Sequence, residues 1–234
     1  MCTVTFVCSI NKVIITSNRD EQESRAAMAP VTEIINNRKI TFPKDPKAGG
    51  TWYAVNENGH VIVLLNGAAE KHEWRPPYRR SRGLIVLDLI SMASSFSGWQ
   101  KIALNGIEPF TIVLFEYNKL YQLRWDGISK ETVDLDPKGN YIWSSTPLYP
   151  REVRERRARW FESFIEGKVV ISENEMFRFH RYTETEDPQN GLVINRNGFL
   201  KTISITQTVI EPEKSVMRHF DFISNNETTV EIVL

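Results

Sequence analysis

A cysteine stands at position two, directly behind Met1. Initiator methionine is commonly removed when a small residue follows it, and the new terminus would then carry a thiol and a free amine on one residue. An unperturbed α-amino group titrates near pH ~8, so a modest environmental shift gives a neutral amine able to accept the thiol proton. Cys2 would hold its own base and attack an acyl carbon, forming an acyl-enzyme that water resolves. The competing reading makes Cys2 a small buried hydrophobe at the start of a strand. What faces Cys2 across the sheet separates the two.

Residues 2–9 alternate, with Cys2, Val4, Phe6 and Cys8 on one face and Thr3, Thr5, Val7 and Ser9 on the other, which is strand behaviour. Lys12 to Asn18 is rich in Val, Ile and Thr, so the chain opens with a hairpin turning at Ile10 and Asn11. A two-residue turn puts Cys2 across from Arg19, on a shared face. A three-residue turn pairs it with Asn18 instead and loses the charge. A guanidinium beside Cys2 would depress the thiol pKa and could hold a substrate carboxylate or an oxyanion.

Further along, residues 30–50 contain Pro30, Pro43, Pro46, Gly49 and Gly50 and read as a long excursion with little regular structure. Hairpins are expected at 52–56 with 60–66, turning at Asn58 and Gly59, and at 110–117 with 119–125 around Asn118. The pattern from Leu84 to Ser97 predicts one helix. Val153, Trp160, Phe161, Phe164 and Ile165 predict another, with the arginines of residues 151–159 on its exposed face. A shorter helix at 172–180 and strands near 131–135, 140–144, 192–195, 200–210, 213–222 and 227–233 complete the pattern. Strands at both ends with helices between imply an α+β fold, a four-layer αββα sandwich of two antiparallel sheets. No linker signal divides the chain, so a single domain over residues 1–234 is expected.

The 234 residues, 41% hydrophobic and 25% charged, have the balance of a folded globular protein. Lys plus Arg number 29 and Asp plus Glu number 29, so no global field would gather nucleic acid or an anionic membrane. Any charged partner must be recognised locally, which points to a small-molecule ligand or substrate of anionic character. No apolar run approaches the ~20 residues of a transmembrane helix, and no basic leader precedes the first strand, so a cytoplasmic location is expected. Cys2 and Cys8, six positions apart in one strand, would lie roughly 20 Å apart, too far for a disulfide. His60, His72, His180 and His219 are scattered without ligand spacing, so no metal site is expected and each reads as a surface side chain.

Two features invite a ligand. Arg75, Arg79, Arg80 and Arg82 lead into a helix start at Ser81 and Gly83, which could cradle an anion or form a solvated charged loop. Trp52, behind a glycine pair, either walls a cavity or fills the core.

Met1-Cys2-Thr3, Asn18-Arg19-Asp20-Glu21 and Gly49-Gly50-Thr51-Trp52 together resemble the NRDE family, whose animal members are called transport and Golgi organisation proteins. The resemblance continues through Leu65-Asn66, Ser81-Arg82-Gly83 and Thr202 to Thr206. That family in turn resembles the cysteine branch of the N-terminal nucleophile hydrolases, the penicillin V acylases and conjugated bile salt hydrolases, which cleave amide bonds. The resemblance implies Cys2 as nucleophile, Asp20 orienting the terminal amine, Arg19 as the active-site arginine and Asn66 as oxyanion donor. Asn18 and Glu21 stand beside them as ligand-binding candidates, with Trp52, Arg82 and Lys201. Lys201 takes the place of an arginine whose bidentate fork it lacks. A second active-site asparagine of the acylases falls near Trp143-Ser144-Ser145-Thr146, where this chain offers only hydroxyls.

Two functions stay open. One is a cysteine hydrolase of an amide or thioester bond, which requires no cofactor. The other is a binding or trafficking protein without turnover, since eukaryotic relatives are linked to haem trafficking and acyl-CoA lipid metabolism. Haem would then be a carried ligand, held by one or two Cys or His donors.

Overall fold

The computed structural model describes residues 2–233, and of Cys2 the backbone alone. Along the chain run β1 (Cys2–Ser9), β2 (Lys12–Glu21), β3 (Met28–Ile35), β4 (Arg38–Lys44), β5 (Tyr53–Asn56), β6 (Val61–Asn66), α1 (Arg82–Ile90) and α2 (Ser95–Lys101). Then come β7 (Phe110–Glu116), β8 (Lys119–Trp125), β9 (Lys130–Leu135), β10 (Asn140–Ser144), α3 (Arg151–Ile165) and α4 (Glu173–Tyr182). The chain ends with β11 (Asn195–Arg196), β12 (Leu200–Ile210), β13 (Lys214–Asp221) and β14 (Asn226–Val233).

The chain divides into two compact units, one joining the stretch up to Ala26 with that from Lys138 onward, the other Ala27–Pro137. In the first, the strand order is β10-β1-β2-β12-β13-β14, with β11 paired to β12. Every pairing is antiparallel. Helices α3 and α4 cover one face through a cluster that includes Val7 and Ile14 of the sheet and Phe161, Met176 and Phe179 of the helices. Ser172 starts α4 with a reciprocal capping box to Glu175, which satisfies donors that the first helical turn leaves open.

The second unit carries an antiparallel sheet in strict sequence order, β3 through β9. Val61 to Leu65 and Phe110 to Phe115 are buried throughout. Such buried runs, apolar but for Thr111, mark strands covered on both faces. Helix α1 lies on β5 and β6, and α2 on β7.

Three expectations need correction here. Residues 28–44 form a hairpin rather than an irregular excursion. Asn36 and Asn37, at φ +50° and +62°, supply the tight turn, and β-branched residues such as Val31, Thr32, Ile40 and Thr41 line the strands. The prolines are tolerated because β3 is an edge strand and the β4–β5 pairing stops at Thr41, before Pro43. The single helix expected up to Ser97 is two, because Ser91 closes α1 and the Ser94 side chain caps α2 by accepting from the backbone N–H of Ser97. The strand expected near 192–195 shrinks to Asn195–Arg196.

Candidate functional site

The β1–β2 register is the one a two-residue turn dictates. Asn11 takes φ +58°, and the ladder pairs Cys2 with Arg19, Thr3 with Asn18 and Val4 with Ser17. Along β2 the side chains alternate between the helix-covered face, which takes Ile14, Asn18 and Asp20, and the opposite face, which takes Ser17 and Arg19. Met1, whose removal the nucleophile requires, lies outside the described residues, as does the Cys2 side chain.

Arg19 is only 4% exposed, and its Nη1 donates to the carbonyl of Arg25 at 2.7 Å. Its partner across β12 is Ser204, while Thr202 partners Asp20. The extra residue between them, Ile203, is a β-bulge. That bulge keeps Thr202 on the helix face while Ser204 stays level with Arg19. One strand further, His219 is 2% exposed and its Nδ1 lies 2.8 Å from the hydroxyl of Thr206. Burial pushes its pKa down to about 4; the Arg19 charge adds to that fall and Asp221 opposes it.

On the helix face beneath this pair, polar groups interlock. Asp20 is fully buried, and its carboxylate accepts from the hydroxyls of Tyr149 and Thr202, each at 2.6 Å. Burial, then the adjacent Asp20 charge, holds the Tyr149 phenol well above its usual range, so it remains a donor. The guanidinium of Arg157 lies 3.6 Å from the Tyr149 ring centre and donates to the Thr3 hydroxyl and to the carbonyls of Asn190 and Gly191. Asn18 donates to the carbonyls of His180 and Leu192 and meets the His180 Nδ1 through its own side-chain oxygen. His180 Nε2 contacts Thr5, and burial drives the His180 pKa down to about 3. Asn18 thus ties α4 to the sheet, on the face opposite Arg19.

The remaining candidates have assigned contacts. Glu21 bonds Arg25 at 3.0 Å, and Lys201, its partner in the ladder, pairs with Glu23 at 2.8 Å. In the second unit, Asn66 ends β6 opposite Phe110, and Trp52 is a 6%-exposed core residue. Arg82 pairs with Glu108 at 3.0 Å and donates to the Pro109 carbonyl. Arg75 pairs with Glu73, Arg80 with Asp88, and Arg79 donates to the carbonyls of Ala103 and Asn105. Three of these arginines are thus balanced by carboxylates, and the fourth, Arg79, is engaged by backbone carbonyls.

Gly50 and Gly83 explain one another. A Cβ on Gly50 would sit 2.4 Å from the Gly83 carbonyl carbon, and Thr51 donates its backbone N–H to the Gly83 oxygen at 3.2 Å. Two of the motifs quoted above are thus the two sides of one backbone contact that seats the start of α1 against the segment leading into β5.

Sequence reasoning placed four polar residues on the surface that the structure buries. His60, His180 and His219 are at most 4% exposed, and Arg157 is fully buried on a helix whose other arginines face outward. Arg157 and His180 are held inside by partners far away in sequence, Thr3 and Asn18, His219 by Thr206 on the neighbouring strand, and His60 by Asn56 in its own turn. Tyr149 was not singled out; the nearest signal was its place just before the Pro150 that starts α3. Among the described residues no three His, Cys, Asp or Glu gather as a metal-holding group, and no helix is long and apolar enough to cross a membrane.

The architecture is that of known hydrolases. It aligns with two variants of the conjugated bile acid hydrolase from Clostridium perfringens, at TM-scores of 0.67 and 0.69 with 10% identity, covering 99% and 98% of this chain and 92% of each of those. It also aligns with the Caenorhabditis elegans ortholog of N-acylethanolamine-hydrolyzing acid amidase at a TM-score of 0.61 and 12% identity, covering 90% of this chain and 93% of that one. These likenesses show the fold, the α+β class with two antiparallel sheets found in N-terminal nucleophile hydrolases. The chain itself belongs to the Transport and Golgi organisation 2 family, whose model matches residues 1–223. No curated protein sequence matches it.

Proposed function

We propose that this chain is a cysteine hydrolase of the N-terminal nucleophile type, in which Cys2, freed by removal of Met1, attacks the carbonyl of an amide or thioester. The observation that carries this reading is the ladder position of Cys2 directly opposite the buried Arg19. A fixed cation there would favour the thiolate and attract a substrate carboxylate or the oxyanion. Asp20, one residue on, supplies the carboxylate expected to orient the terminal amine. No cofactor enters this chemistry. The test is hydrolysis of a panel of acyl-amides and acyl-thioesters: turnover should be sensitive to iodoacetamide and abolished by Cys2→Ala. Turnover that survives Cys2→Ala would refute it.

A second reading, a carrier of haem or of an acyl-CoA-type lipid, is favoured by two observations. The Trp143 to Thr146 segment offers hydroxyls and no amide, and Lys201 is engaged by Glu23. Haemin titration distinguishes it, since a carrier gives a saturable Soret shift that disappears on changing one Cys or His.

A further inference from the structure

Thr3 and Asp20 each stand next to a member of the proposed pair, Thr3 after Cys2 and Asp20 after Arg19, and both are held from behind by one assembly. Arg157 reaches from α3 to the Thr3 hydroxyl, the Tyr149 ring lies against the same guanidinium, and the Tyr149 hydroxyl donates to Asp20. Arg157 is the only arginine of α3 among the described residues that is fully buried. A guanidinium taken wholly out of water is costly unless every donor finds a precise partner. Its donors here go to the Thr3 hydroxyl, one residue from Cys2 on β1, and to the carbonyls of Asn190 and Gly191.

We propose that Arg157 and Tyr149 are positioning residues for the N-terminal nucleophile, acting through Thr3 and Asp20 to hold Cys2 and Arg19 level and to spread the charge of the Asp20 carboxylate. The inference rests on the hydrolase reading and deepens it. A carboxylate relieved of its phenol donor presents a more concentrated negative charge to the terminus. That charge favours the ammonium over the amine and the thiol over the thiolate, so both effects delay activation to higher pH. Among the described residues, the other charged or titratable groups around the pair are the Glu21–Arg25 ion pair beside it, His219 and Asp221 on β13, and His180 on α4. Both histidines stay neutral through the working range. Lys201 and Glu23 neutralise one another at the surface.

The test is the pH dependence of Cys2 alkylation by iodoacetamide in the full chain, followed by mass mapping of the N-terminal peptide so that Cys8 is counted separately. Tyr149→Phe keeps the ring against Arg157 and removes only the hydroxyl. It should raise the alkylation midpoint by about half a pH unit, a roughly threefold slower reaction at pH 7, with little change in thermal unfolding. Arg157→Met should raise it by about one unit, and Arg157→Lys, which restores the charge without the fork, should recover part of that shift. A purely structural role would lower thermal stability and leave the midpoints where they are. Parent-like midpoints in folded Tyr149→Phe and Arg157→Met would overturn the inference alone. A parent chain whose Cys2 resists alkylation at every pH would overturn the hydrolase reading and this inference with it.

Discussion

The two sheets fill their interiors differently. In the second unit the strands β5 to β7 bury apolar runs such as Val61 to Leu65 with only a few polar residues, Asn56, Thr111 and Glu116, among them, so dispersion and the hydrophobic effect dominate there. In the first, β1, β2 and β12 bury Thr3, Thr5, Thr16, Asn18, Asp20 and Gln207 on the helix face alone, nearly all with named hydrogen-bond partners. Apolar packing tolerates small shifts of its members, whereas a buried hydrogen bond fails when its geometry drifts, because an unmet polar group inside costs about 1–3 kcal/mol. The strands that carry Cys2 and Arg19 are thus held on their helix face by directional polar contacts, whereas the other sheet relies more on apolar packing.

Substitutions should report this division. Ile112→Ala, in the middle of the apolar sheet, should cost about 3 kcal/mol or more in chemical denaturation while leaving the pH profile of Cys2 alkylation unchanged. Gly50→Ala should cost about 1–3 kcal/mol, because the new methyl meets Gly83 backbone that cannot step aside, and Gly83→Ala should not rescue it.

The polar sheet should show its composition in acid. His180 and His219 fold with pKa values pushed down to about 3 and about 4, below the 6.5 of a free imidazole, so the unfolded chain binds protons that the folded chain refuses. Their contribution is complete above about pH 6.5 and is lost as pH falls toward those folded values, by about 1.4 kcal/mol per pH unit for each histidine. Urea midpoints measured between pH 7 and pH 4 should fall accordingly, and His180→Gln should flatten the slope. The smallest effect expected is that of Ser172→Ala, about 1 kcal/mol from the lost α4 cap, measured by the same denaturation.

Much of this arrangement was legible in the residues. Alternation from Cys2 to Ser9 and a turn at Ile10–Asn11 narrowed the partner of Cys2 to Arg19 or Asn18, because hairpin register depends on local turn length, and the structure has the turn that selects Arg19. The β3–β4 hairpin was hidden by Pro30 and Pro43, which count against strands unless the edge position is known. The polar interior was the least accessible part. Arg157 finds Thr3 and His180 finds Asn18 across more than 150 positions, and nothing in the local pattern of an amphipathic helix distinguishes a buried arginine from its exposed neighbours. Gly50 and Gly83 were visible as motif residues, but their reason, a shared backbone contact, appears only when α1 is seen against the strand that follows Gly50.

Everything proposed for the chemistry depends on a free terminus at Cys2. Intact-mass analysis of the protein isolated from its own host, before and after brief exposure to an acyl-thioester, reads that terminus and its reactivity together. The expected result is a chain lacking Met1 that gains a single acyl group, mapped to Cys2. A chain that keeps Met1, or an acyl group found only on Cys8, would contradict it.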